Sequence, residues 1–288
     1  MIGRFGKAWL VCGFAFLYLP ILTLVVFSFN ESRMPTVWTG LSLRWYAAIV
    51  NDDQIVSAVW TSLKIAVAAA STSVVLGTMA AFAISRYRHF AGRTTFLAHI
   101  NAPLVVPEVI TGLSLLLFFV AIENLFGGLS LRGLLTIWIG HTSICTAYAT
   151  VVIQARLSEV DRSVEEAAMD LGCRPFQVFY LIILPSISQA LASAWLLTFT
   201  ISLDDVVSTS FLTAPGSTTL PVLIFARAHL GLDPTINAVA TITVVLVGIG
   251  VTIASFLLVR KERLRAQMQA AAYREALHAA PAVAAASA

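Results

Sequence analysis

Long apolar runs alternate with short polar segments along the whole 288-residue chain. Each run is longer than the roughly 18 residues that an α-helix needs to cross the hydrocarbon core of a bilayer. Apolar positions surround most of each helical circumference, which is typical of helices that contact lipid or one another. The pattern therefore predicts an all-α membrane protein with six transmembrane helices. The predicted spans are residues 8–29, 57–84, 96–120, 133–153, 187–212 and 236–259.

The basic residues are distributed unevenly between the two sets of polar segments. Thirteen of the 18 Lys and Arg residues fall in the N-terminal segment, the 85–95 loop, the 154–186 loop and the tail from residue 260. Because cytoplasmic segments carry the basic excess in membrane proteins, this bias predicts that both termini are cytoplasmic. It also accounts for the net charge of +3, which therefore does not indicate nucleic-acid binding.

The composition and the cysteine pattern exclude several classes of protein. Hydrophobic residues make up 58% of the chain and charged residues only 11%, whereas soluble domains carry about 25% charged residues. Cys12, Cys145 and Cys173 have neither CxxC nor zinc spacing, so we expect no metal site. His141 and Cys145 share a helical face, but two potential ligands do not make a metal centre. Ordinary packing is the interpretation for both.

The loop between the fourth and fifth spans reads as two short helices joined by a glycine turn. Ser163 followed by Glu166 matches a capping box, which predicts a helix that begins near Val164. Gly172 can supply the left-handed residue that ends this helix. Pro175 can begin the second helix at its first position, where the missing N–H costs nothing.

An apolar stripe follows the first of these short helices at i, i+3, i+4 and i+7 spacing. Its members are Val164, Ala167, Ala168 and Leu171. Small side chains permit close docking into a groove on another protein, or packing against the helix ends of this chain. The pattern by itself leaves both alternatives open.

The spacing in this loop is similar to the EAA motif of ABC-importer permeases, EAA-x3-G-x9-I-x-LP. Ile182 fills the isoleucine position, and the residues for which the motif implies a role are Glu166, Ala167, Ala168, Gly172, Leu184 and Pro185. The resemblance extends over about residues 8–260 and implies the type I ABC importer permease fold. In such permeases the EAA helix couples to a cytoplasmic ATPase subunit, so the resemblance implies that role for these residues.

The same resemblance implies the partners and the location of the protein. The sequence contains no G-x4-GK[ST] P-loop, so we expect it not to be an enzyme and to bind no cofactor, with ATP and Mg bound by the partner. The implied partners are two ATPase subunits, a second and related permease, a periplasmic solute-binding protein and membrane lipid. We expect a multi-pass protein of the bacterial inner membrane, with a permease domain at 1–265 and an Ala-rich cytoplasmic tail at 266–288.

Three acidic residues inside predicted spans are candidates for a substrate path. Glu108 lies about a dozen residues into the third span, and Asp204 and Asp205 lie toward the outer end of the fifth. Carboxylates within a membrane are costly and usually functional, and these would attract a cation. The alternative is that they pair with Lys64, with Arg227 or with a neighbouring subunit.

The sequence around these acids resembles the second permease of putrescine and spermidine importers. The stretches that carry the resemblance begin at Ser202 (SLDDVV) and at Pro107 (PEVITG). A polyamine such as putrescine is therefore the implied substrate, although Thr235 stands where relatives typically carry Glu. The alternative function is an ion-gradient-driven secondary transporter or a channel for a small cation. The EAA loop argues against it, because such carriers have no ATPase to dock.

Overall fold

The apolar runs form helices in a computed structural model that describes residues 4–32, 34, 37–87, 89–126, 132–230 and 234–286. The first six helices are α1 (Arg4–Phe27), α2 (Arg44–Val50), α3 (Asp53–Arg86), α4 (Arg93–Val105), α5 (Glu108–Leu125) and α6 (Leu134–Glu159). The loop and the remaining chain form α7 (Arg162–Asp170), α8 (Pro175–Val178), a π-helical segment (Phe179–Ile183), α9 (Leu184–Ser186), α10 (Ser188–Asp204), α11 (Val207–Leu212), α12 (Leu220–Leu230) and α13 (Pro234–Ala286). The all-α prediction is confirmed.

The number of spans agrees with the prediction of six when one bent helix pair is counted. Among the described residues, α1, α3, α5, α6 and the Pro234–Phe256 part of α13 are each long and apolar enough to cross a membrane. The sixth candidate is the segment Pro175–Ser186 together with α10, which are bent by 68° relative to each other.

The third span is not one continuous helix, so the prediction of a single helix over 96–120 is wrong. Helix α4 ends at Val105, and Val106 is extended with φ −76° and ψ 132°. The cause is Pro107, which lacks an N–H and disfavours helical geometry in the residue before it. Glu108 is consequently the first residue of α5, rather than a residue a dozen positions into a longer helix.

The fifth predicted span, 187–212, is also interrupted. Helix α10 ends at Asp204, and Asp205 has extended backbone geometry with ψ 115°. The chain becomes helical again at Val207, where α11 begins. The prediction of one continuous helix would place both aspartates on it. In the structure only Asp204 belongs to α10, and Asp205 lies in the break.

Close packing of α3, α6 and α10 forms the core. Ala66, Ala69 and Ala70 of α3 are fully buried. A Cβ at Gly77 of α3 would lie 2.8 Å from the Cβ of Ala149 on α6, so only glycine permits this approach of the two helices. Small residues let helices pack in lipid, where no hydrophobic drive acts between them.

The chain divides into two compact units, residues 1–239 and 240–288. The core described above lies in the first unit. The second unit is the remainder of α13, which is helical through Ala286. The predicted division between 1–265 and 266–288 falls within this helix and stays a prediction.

Candidate coupling and translocation sites

Helix α7, which carries the EAA residues, begins two residues earlier than the sequence predicts. Asp161 is the N-cap, and its carboxylate accepts the backbone N–H of Ser163 at 3.0 Å. The predicted capping box at Ser163 is therefore wrong: Asp161 offers a charged acceptor to the free N–H groups of the first turn, which stabilises a start at Arg162. The backbone hydrogen bond from Ser163 also holds the pKa of Asp161 below its usual value.

The end of α7 follows the prediction. Gly172 has φ +91°, its N–H donates to the carbonyl of Met169 at 2.9 Å, and the next N–H, of Cys173, donates to the carbonyl of Ala168 at 3.0 Å. This left-handed turn is the one that glycine adopts without steric cost. Pro175 then begins α8 at its first position.

Helix α7 is attached to the core at one face. Ala168 is buried and packs in a cluster that joins α3, α6, α8, the π-helical segment and α10. Two polar contacts reinforce this attachment at the end of α3. Arg86 forms an ion pair with Glu165, both side chains being almost buried, and Arg162 donates to the carbonyl of Ser85.

The rest of α7 is exposed. Val164 is 49% exposed and Leu171 is 88% exposed, although both lie beside Ala168 on the same stripe, and Glu166 and Ala167 are exposed as well. Within the described part of the chain, Glu166 forms no ion pair and no side-chain hydrogen bond. Packing on this chain therefore accounts only for Ala168 among the four stripe residues, and the rest remain available to another protein. The last two motif residues, Leu184 and Pro185, begin α9 beyond the π-helical segment.

The three acidic candidates occupy different environments. Glu108 is exposed at the first position of α5, where the helix dipole favours a carboxylate. Asp204 is exposed at the end of α10 and forms no ion pair or side-chain hydrogen bond with any described residue. Asp205 lies 3.1 Å from His141 Nε2, so its partner is neither of the basic residues considered from the sequence. Of those two residues, Arg227 binds Asp52 at 2.8 Å.

Asp204 belongs to an exposed face of α10. Ser193, Leu197 and Asp204 are exposed, and Thr200 is half-buried. Residues at i, i+4, i+7 and i+11 lie along the same side of a helix. An ionised carboxylate that faces lipid is costly, so this side of α10 requires water or another subunit in front of it.

Two residues of these sites were missed from the sequence. The sequence assigns Arg86 only to the basic excess, although it lies at the end of the second span, on the same predicted side of the membrane as the acids of the loop. His141 was assigned to ordinary packing, but it is the partner of Asp205. No local spacing connects residues 141 and 205, so only the fold reveals that pair.

The chain matches, over residues 73–264, the family described as binding-protein-dependent transport system inner membrane component. It belongs to that family. It is 52% identical over 256 residues to the putrescine transport system permease protein PotI of Escherichia coli strain K12, with 89% of this chain and 91% of the relative covered. It is 36% identical to the spermidine/putrescine transport system permease protein PotC of the same strain, with 90% of this chain and 96% of the relative covered.

Solved structures share the fold of this inner membrane component. One is a chain of a bacterial ABC transporter involved in the import of the acidic polysaccharide alginate, with a TM-score of 0.65 at 17% identity, covering 88% of this chain and 98% of that chain. Another is a chain of the MetNI methionine ABC transporter in an inward-facing conformation, with a TM-score of 0.58 at 17% identity, covering 77% of this chain and 98% of that chain.

Family membership decides between the two functions considered from the sequence. The protein is a permease subunit of a binding-protein-dependent transport system in the inner membrane, which favours the ATP-driven importer over an ion-gradient-driven carrier or channel. It is a transport component rather than an enzyme. Permeases of this kind work with ATPase subunits and a periplasmic binding protein.

Proposed function

We propose that this permease translocates a polyamine, with putrescine as the first candidate, from the periplasm to the cytoplasm. The support is the 52% identity to a putrescine permease over nearly the full length of both chains. The acidic residues provide a chemical reason for a polyamine. Two ammonium groups separated by a flexible chain suit a path that offers carboxylates at separate positions.

In this proposal the path runs along the exposed face of α10. Asp204 attracts an ammonium group there, and Glu108 offers a second carboxylate at the start of α5. Weak binding at more than one site suits translocation, because the solute must be attracted enough to enter and held loosely enough to leave. A second, related permease covers the same face from the other side and keeps it away from lipid.

Coupling to ATP hydrolysis runs through α7. Two copies of a cytoplasmic ATPase subunit supply the ATP and Mg chemistry, and one of them docks on the exposed Glu166, Ala167 and Leu171. Movement of α7 then reaches α3 through the Arg86–Glu165 ion pair and reaches α6 and α10 through the cluster around Ala168. With α7 on the ATPase side, both termini and the tail at 266–288 are cytoplasmic, and a periplasmic binding protein delivers the polyamine to the opposite side.

The observation that carries the coupling proposal is the division of α7 into a face packed on the core and a face left free. The test uses the transporter reconstituted with its ATPase and binding protein in liposomes, with radiolabelled putrescine outside. Glu166→Lys should abolish ATP-dependent uptake. The matched control is Glu159→Lys, which reverses the same charge on an exposed residue whose ion pair is with Arg156, three residues earlier, and it should leave uptake within about twofold of the parent, as expected for a surface change of this kind.

The outcomes separate the two parts of the proposal. Uptake by Glu166→Lys at the parental rate would remove the coupling role of α7. ATP-dependent uptake that unlabelled putrescine and spermidine fail to compete, while another solute competes, would keep the importer and replace the polyamine.

A further inference from the structure

A single buried imidazole contacts α10, α11 and the break between them. His141 of α6 is 2% exposed. Its Nδ1 lies 2.7 Å from the hydroxyl of Ser202, before the break, and its Nε2 lies 2.8 Å from the hydroxyl of Thr209, after the break. The same Nε2 lies 3.1 Å from Oδ2 of Asp205, in the break itself. One side chain therefore contacts both helices and the break that separates them.

Neighbouring residues of α6 hold α10 and α11 at further points. The thiol of Cys145, one turn along α6, contacts the carbonyl of Thr198 in α10 at 3.6 Å. The hydroxyl of Thr136 contacts the carbonyl of Leu212, at the end of α11, at 3.1 Å. Both helices are thus attached to α6 on either side of the break, and His141 lies between the two attachments.

The hydrogen-bonding capacity of Asp205 is used within this cluster. One carboxylate oxygen faces His141, and the other accepts the backbone N–H of Ser208 at 2.9 Å, which stabilises the first turn of α11. With its proton on Nε2, the imidazole donates toward Asp205 and Thr209 while Nδ1 accepts the hydroxyl proton of Ser202. A carboxylate held in this way is not available to a passing cation.

Asp204, the preceding residue, is exposed. It forms no ion pair or side-chain hydrogen bond with any described residue. Adjacent residues of a continuous helix point about 100° apart. The break takes Asp205 out of the helix and leaves Asp204 as its last residue.

We propose that His141 is a positioning residue for transport: by holding Asp205 and the break between α10 and α11, it presents Asp204 alone to the translocation path. This inference rests on the proposed function only in that the face of α10 carrying Asp204 lines the path. The orientation of position 204 is measured separately from transport, so that failure of one is distinguishable from failure of the other.

The test is the labelling rate of Asp204→Cys in the assembled transporter, reconstituted in liposomes with its ATPase. The probe is a membrane-impermeant trimethylammonium thiosulfonate added on the binding-protein side, and the parent with its natural cysteines is the blank. Position 204 should label readily with His141 present. His141→Ala should slow labelling by about tenfold, because it removes the buried hydrogen-bonding partner of Asp205 and of both helices at the break.

His141→Gln is the conservative variant that distinguishes positioning from bulk packing. Its amide nitrogen reaches the place of Nε2, so it keeps the contact to Asp205 and should restore labelling to within about threefold of the parent. His141→Asn places its amide near Nδ1, keeps only the Ser202 contact and should label as slowly as His141→Ala. If His141→Ala does not co-purify with the ATPase, Ser202→Ala decides in its place, with labelling slowed by about threefold or more.

Three results would overturn the inference. The first is no labelling at position 204 when His141 is intact. The second is a labelling rate in His141→Ala or Ser202→Ala that equals the rate in the protein with both residues intact. The third is an equal slowing of labelling by His141→Gln and His141→Asn. A different result separates the two proposals: His141→Ala labels slowly, His141→Gln restores the rate, and the transporter does not import putrescine. That result would keep the positioning role of His141 and refute only the proposal that the substrate is a polyamine.

Discussion

Adjacent residues of the same type have different roles when their surroundings differ. Asp205 has an imidazole and a backbone N–H as hydrogen-bonding partners, so its replacement removes contacts that hold α6 and α11. Asp204 has no such partner among the described residues, which is what the proposed path requires of it. The identity of a carboxylate therefore says less than the number of donors around it.

The two aspartates should consequently fail in different ways. Asp204→Asn should lower putrescine uptake at least about tenfold while the melting temperature of the purified complex stays the same, because it removes an exposed charge and no contact. Asp205→Asn should lower the melting temperature, since a buried hydrogen-bonded charge contributes about 1.5–3 kcal/mol. Asp53→Asn is the control, because Asp53 is an exposed acid at the start of α3. Equal melting temperatures for the two variants would contradict the distinction.

The contact between Asp52 and Arg227 predicts a pH dependence. The Arg227 guanidinium, and then the backbone N–H groups of Ile55 and Gln54, hold the pKa of Asp52 below its ordinary value of 3.8. A carboxyl group with a lowered folded-state pKa stabilises above its ordinary pKa, and this contribution is lost as the pH falls through the lower folded value.

The contribution of Asp52 should be small, about 0.2–1 kcal/mol, because both side chains are partly exposed. The measurement is the melting temperature of the parent and of Asp52→Asn between about pH 5 and pH 3, around the ordinary carboxyl pKa. The difference between the two proteins should be present at the upper end and shrink at the lower end. A difference that grows on acidification would refute the assigned sign.

At the scale of the element, the loop between α6 and α10 is a set of short helices with defined ends. Asp161 begins α7, Gly172 ends it and Pro175 begins α8. The hydrogen-bonded turn at Gly172 fixes the direction in which the chain passes from α7 to α8. The proposed docking role of α7 requires such a defined turn, because a displacement is otherwise absorbed in the loop.

Gly172→Ala tests the turn. A side chain at φ +91° costs about 1–2 kcal/mol, so the turn should rearrange and the stimulation of ATP hydrolysis by the binding protein should fall severalfold. The control is Gly13→Ala in α1, where a Cβ meets nothing within 4 Å, and it should leave the stimulation unchanged. Full stimulation in Gly172→Ala would show that the shape of this turn is not required.

At the scale of the whole molecule, α7 and the packed helices α3, α6 and α10 form one connected structure. The cluster that includes Ala168 also contains Ala149 of α6 and Ala194 of α10. Gly77 and Ala149 allow a close approach of α3 and α6. If α7 couples to an ATPase as proposed, these packed side chains connect it to the helices that carry Asp204 and His141.

Reversal of the Arg86–Glu165 ion pair tests this connection. Arg86→Glu and Glu165→Arg each leave two like charges together in an almost buried place, so each should reduce ATP-dependent uptake strongly. The double variant restores opposite charges and should recover a large part of the uptake. Additive losses in the double-mutant cycle would show that the two residues act independently.

The sequence by itself determined the class, the number of spans and the family. Apolar length predicts spans because the bilayer has a set thickness. The glycine turn and the proline start of α8 are local properties of the backbone, and so the sequence predicts them correctly. The EAA spacing identified the family because all of its positions lie within one short segment.

Only the tertiary structure decided which residues are partners. Pro107 was visible in the sequence, but whether a proline kinks a span or divides it depends on how neighbouring helices satisfy the freed backbone groups. His141 and Asp205 are 64 positions apart, and no periodicity connects them. The separate roles of Asp204 and Asp205 follow from that contact, since buried hydrogen bonds form between groups that folding brings together, irrespective of their distance along the chain.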